Sequence, residues 1–167
     1  MYKTIAILTL CLFSLTTQAE LYSGNRSDEF STEFQLSLVP DFALHDRDTT
    51  ITGFSFGLWN ENPQLFSSVG VINGCTGERK GLSIGMVNYT DAYTGLQLGI
   101  YNTAGSSITG VQAGIINQAK YIKGVQIGLI NRCEANYGAQ IGLINLNART
   151  DIKDSGASFM PFLNLSF

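Results

Sequence analysis

The sequence predicts an all-β fold, an antiparallel up-and-down meander closing into a small outer-membrane β-barrel of about eight to ten strands. Three observations predict it. A phrase of the form Gly-x-Gln-x-Gly-x-x-Asn recurs about every 14 residues along most of the chain. Within each copy the side chains alternate with period two, as in a strand. Every copy also carries one wholly aliphatic face, which some other surface has to cover.

The first nineteen residues read as a secretory signal. Lys3 supplies a positive start, Ile5 to Leu15 is apolar, and Thr17-Gln18-Ala19 ends in a small residue before Glu20. Cys11 follows Leu10 rather than a small residue, so no lipoprotein anchor is expected there. Residues 20–167 then form a single all-β repeat domain. Phe34 to Val39 alternates weakly and stops at Pro40, and Asp41 to Thr50 is a polar turn.

The repeat array follows, over about residues 51–147. Looser copies are GFSFGLWN, from Gly53, and SSVGVIN, ending at Asn73. The clear copies begin at Gly81, Gly95, Gly110, Gly124 and Gly138. Their second glycines are Gly85, Gly99, Gly114, Gly128 and Gly142, and they end on Asn88, Asn102, Asn117, Asn131 and Asn145. Gln97, Gln112, Gln126 and Gln140 stand between the glycines. Two glycines per copy disfavour a helix. The glycines read as packing residues, since they alternate with aliphatics instead of opening a phosphate-cradling turn before a helix. The asparagines read as turn residues that tolerate the left-handed backbone, rather than as a stacked ladder. Links such as YTDAYT, QAKYIK and RCEANY read as short connections between neighbouring strands.

Lipid is the favoured cover for the aliphatic face. Val111, Val125, Ile127, Leu129, Ile141 and Leu143 then face outward, and Gln97, Gln112, Gln126 and Gln140 line a narrow lumen. Tyr89, Tyr93, Tyr101, Tyr121 and Tyr137 fall near strand ends, where an interfacial girdle would put them. The partners implied are outer-membrane lipid and the barrel-assembly machinery. Two alternatives stand. One is a β-solenoid of 14-residue coils with aliphatics inside and asparagines stacked, which must build its return wall from links with little apolar surface. The other is a soluble barrel. About nine strands are legible, and single-chain bacterial barrels have an even number.

The C-terminal strand, residues 157–167, ends FMPFLNLSF. Phe159, Leu163, Leu165 and Phe167 share a face there, a pattern that resembles the assembly signal of outer-membrane barrels. The recurrent phrase, preceded by FQLSLVP and closed by this terminus, resembles a family of bacterial surface-repeat proteins first described in leptospires. The resemblance spans about Phe34 to Phe167. It implies an envelope location and no assigned activity.

Little catalytic chemistry is legible. His45 is the lone histidine, set among Asp41, Asp46 and Asp48 without calcium-loop spacing, and reads as a solvated turn. Ser37, Ser55 and Ser83 have no histidine in a matching repeat, so no triad is supported. Charged residues make up 14% of the chain against a usual ~25%. From Gly81 to Asn145 the charges are Asp91, Lys120, Lys123, Arg132 and Glu134, all between copies. A net charge of −3 gives no reason to expect nucleic acid. Cys75 and Cys133 are expected as free thiols in a solenoid, and a barrel would also permit a bridge. The expected function is a non-enzymatic outer-membrane or cell-surface protein without cofactor or metal, in a structural or interaction role. The alternative is an exported soluble module that binds through its Gly/Gln face.

Overall fold

The computed structural model describes residues 31–148 and 157–166. The expected signal segment, residues 1–19, and Phe167 lie outside them. Eleven strands are described: β1 (Ser31–Val39), β2 (Phe42–Ala43), β3 (Thr50–Glu61), β4 (Ser67–Gly74), β5 (Glu78–Ile84), β6 (Val87–Leu98), β7 (Tyr101–Ala113), β8 (Ile116–Ile127), β9 (Ile130–Cys133), β10 (Ala135–Ala148) and β11 (Ala157–Ser166). All belong to one sheet, ordered β11-β10-β9-β8-β7-β6-β5-β4-β3-β1-β2.

The pairing corrects the expected barrel. Only β1 with β2 and β10 with β11 run antiparallel; every other pairing is parallel. Copy stacks on copy in register: Gly95 on Gly110 on Gly124, and Gln97 on Gln112 on Gln126. Parallel neighbours require the chain to return to its starting edge between copies, which an up-and-down meander never does. The fold is a β-solenoid of about seven turns.

The return path is the segment expected to be turns. YTDAYT lies inside β6, and QAKYIK inside β8. A coil bends at its second glycine, as at Gly99-Ile100 and Gly114-Ile115. It bends again at its first, where Gly81, Gly95, Gly110 and Gly124 hold φ between 93° and 146°. A further irregularity falls where the register shifts, between Ala104 and Ser107. A coil this narrow needs very little wall. Tyr93, Ile108 and Ile122 stack as one buried row, and Ala104, Ala119 and Cys133 lie in the same core cluster.

Both ends are closed by strands of different character. At the N-terminal end β1 lies parallel on β3, with Gln35 over Ser55. At the C-terminal end β11 turns back antiparallel, so the coil series ends in a strand that does not wind. Asn164 stands there opposite Gln140 and donates to its Oε1 at 2.7 Å.

Candidate functional site

The alternation puts the amides inside and the aliphatics outside, in a solenoid rather than a barrel. Asn60, Asn73, Asn88, Asn102, Asn117, Asn131 and Asn145 are all fully buried. Each of the first six donates its Nδ2 to the Oδ1 of the next, at 2.8–3.0 Å. The second Nδ2 hydrogen goes to a backbone carbonyl, as from Asn102 to Ala113 and from Asn117 to Ile127. Ser37 starts the row by donating its hydroxyl to Asn60 Oδ1. This overturns the reading of the asparagines as turn residues. They occupy extended backbone, and the one non-glycine with positive φ among the described residues is Phe162.

A second ladder runs the other way. Gln140 donates to Gln126, Gln126 to Gln112 and Gln112 to Gln97, at 2.7–2.8 Å. Upstream the row continues through Ser83, Ser68 and Ser55. The smaller Ser83 sits beside the bulky Tyr93, whose hydroxyl donates to the Gly81 carbonyl at 3.0 Å. Such amide ladders satisfy a polar core that would otherwise carry a heavy desolvation cost. They leave the glutamines no solvent-facing surface, so the glutamine side chains are not open to a ligand.

The outward face is apolar over four adjacent rows. One runs Leu82, Leu96, Val111, Val125, Ala139, Leu165. The next runs Ile84, Leu98, Ala113, Ile127, Ile141, Leu163. Met86, Ile100, Ile115, Leu129 and Leu143 form the third, at the bends, and all are exposed. Val87, Tyr101, Ile116, Ile130 and Ile144 form the fourth. Ile115 is 47% exposed and Leu129 50%, values far from those of a core. At the N-terminal end Phe54, Phe56, Phe66 and Trp59 extend the flank, with Phe54 and Phe66 in edge-to-face contact. At the other end Phe159, Leu163 and Leu165 of the expected assembly signal are exposed as well. A shallow groove between the rows is lined by Ile115, Leu129, Leu143 and Phe162.

The charges are sorted around this flank. Lys80 and Lys123 stand on one border, in the row with Thr94, Thr109 and Tyr137. Arg132 stands on the other, in the row with Tyr89, Thr103 and Gln118. Glu61 begins that second border and pairs with Arg47 at 3.7 Å. Glu78, Asp91 and Glu134 lie on the far side of the coil, where Lys120 faces Glu134 at 3.9 Å.

Arg79 escaped the sequence reading. It lies inside the coil, 2% exposed, between Gln64 and Tyr93, and its Nε and Nη2 have no hydrogen-bond partner. Burial holds its pKa below the usual guanidinium value. The period-two pattern did contain the signal, because Arg79 sits at the position that Ile108 and Ile122 occupy in later coils. The His45 segment forms the polar turn expected of it. Gln35 exchanges two hydrogen bonds with the His45 backbone, and Arg47 pairs with Asp41 at 3.0 Å. Among the described residues no three His, Cys, Asp or Glu side chains are grouped to hold a metal ion.

Cys75 and Cys133 are buried free thiols in one interior row, four coils apart or ~19 Å at the sheet spacing. Burial pushes the Cys133 thiol up to about 11 and also raises that of Cys75. Neither thiol should react with iodoacetamide in the native protein, and both should in denaturant. Mass spectrometry of the cysteine peptides reads this directly; native labelling at the denatured rate would remove both from the interior.

Fold and surface together define a β-solenoid of about 14-residue coils with stacked asparagine and glutamine ladders. The chain matches no family profile, no curated protein and no solved structure.

Proposed function

We propose that this chain is a non-enzymatic repeat protein of the bacterial envelope, exported by its N-terminal signal, that works by attachment through its aliphatic flank. The flank carries this reading. The fold fills most of its interior with amides and leaves most of its aliphatic residues outside, the reverse of what stability in water alone favours. Contiguous apolar surface of this extent marks an interaction site. The resemblance of the repeat to the surface-repeat proteins of leptospires supports membership of that family and an envelope location.

Fractionation of cells tests the reading. The wild-type chain should be recovered with the envelope after lysis without detergent. A chain carrying both Ile115→Asp and Leu129→Asp should move to the soluble exported fraction while keeping its β-sheet circular dichroism. Recovery of the wild type in the soluble fraction would sink the attachment role.

A further inference from the structure

The partner of the flank can be named from its borders, given the attachment reading. We propose that it docks on a lipid bilayer bearing anionic headgroups, with the solenoid lying flat on the surface and its aliphatic rows in the interface. Seven coils at ~4.8 Å make the flank about 30 Å long, and the six positions from Leu82 to Val87 make it about 15 Å wide. No charged residue falls within the four rows from Leu82 to Ile144. Lys80, Lys123 and Arg132 instead stand on its two borders, all exposed. Long cationic side chains there lay their stems along apolar surface and extend their charges to the headgroups. Thr94, Thr109, Tyr137, Tyr89 and Gln118 complete the borders with groups suited to that polar layer. The acids Glu78, Asp91 and Glu134 face away from it, and Glu61, at the N-terminal start of the second border, is paired with Arg47.

This charge distribution selects against the nearest rival, a second copy. In a two-fold dimer the same patch meets itself, so border would meet border. An axis along the solenoid sets Lys123 against Arg132 of the same coil, and an axis across its centre turns the Lys80 and Lys123 border onto itself. An anionic surface meets the same borders with opposite charge. The segment outside the described residues at 149–156 reads RTDIKDSG, too polar to cover four aliphatic rows.

Co-sedimentation of the purified full chain with vesicles tests this. The probes are vesicles of phosphatidylcholine alone and of phosphatidylcholine with phosphatidylglycerol. Binding should be much tighter to the anionic vesicles and weaken as salt rises, with a salt-resistant remainder from the aliphatic rows. Replacing Lys80, Lys123 and Arg132 together by Gln should lower affinity for anionic vesicles by about 100-fold and barely change it for neutral ones. Ile115→Asp with Leu129→Asp should abolish binding to both, in a protein whose thermal unfolding is unchanged. Absence of binding by the folded wild type would overturn the lipid assignment. So would a dimer in solution that the aspartate pair dissociates. If the wild type fractionates with the envelope yet binds only envelope vesicles not treated with protease, the partner is a protein; attachment then stands and the lipid assignment falls.

Discussion

Gly110→Val should leave no folded solenoid, while Gly105→Ala should unfold at nearly the wild-type temperature. Gly110 holds φ at 128°, and a Cβ built there would run into the carbonyl of Gly95 in the preceding coil. That carbonyl is backbone within the parallel ladder, so it cannot step aside without breaking the register of Leu96 on Val111 and Gln97 on Gln112. Strained backbone alone costs ~1–3 kcal/mol, and a lost buried hydrogen bond adds ~1–3 more. Together these are a large share of the ~5–15 kcal/mol that holds a domain folded. Gly105 has no positive φ, and its nearest neighbour is Asp91 Oδ1 at 3.5 Å, an ordinary contact. Circular dichroism melts of both variants check this. A cooperative melt for Gly110→Val near the wild-type temperature would mean that the close coil-to-coil approach is not required.

The strand character of the repeat, its period and the alternation of its two faces were all legible, because β-branched residues alternating with Gln and Gly admit one local structure. Which face turns inward was not legible, and neither was the winding. A strand reads the same whether its neighbour comes from a hairpin or from a return coil, and period two says nothing of parallel or antiparallel pairing. The deciding residues were Tyr93, Ile108 and Ile122, one apolar side chain in each link. They looked too few to form a wall, because a wall was expected to be aliphatic throughout. With Asn117 and Gln126 carrying most of the interior, one isoleucine per coil is enough. The asparagines misled for a related reason: side-chain amides suit turns, but they also suit a stack at fixed spacing, where each donates to the next. Register supplied what the sequence alone could not, placing Asn102, Asn117 and Asn131 directly over one another.

Barrel and solenoid make opposite predictions for one pair of adjacent residues. In a membrane barrel Ile127→Arg sets a charge in lipid at about 2–4 kcal/mol, and Gln126→Arg merely adds a cation to a polar lumen. In the solenoid the order reverses. Gln126 is fully buried, donates to Gln112 Oε1 at 2.7 Å and accepts from Gln140 Nε2 at 2.8 Å. Arginine there keeps one acceptor, leaves the Gln140 amide without its own, and brings a charge into an interior with no carboxylate in the glutamine row. The expected cost is about 3–5 kcal/mol, enough to abolish folding or lower the melting temperature by tens of degrees. Ile127 is 45% exposed and points away from both ladders, so Ile127→Arg should change stability by no more than about 0.5 kcal/mol. A neutral control separates charge from shape: Gln126→Leu fills much the same volume but breaks the ladder, and should fall between the two at about 1–3 kcal/mol. Urea unfolding of the three purified variants measures all of this. A stable Gln126→Arg beside an unfolded Ile127→Arg would turn the coil inside out.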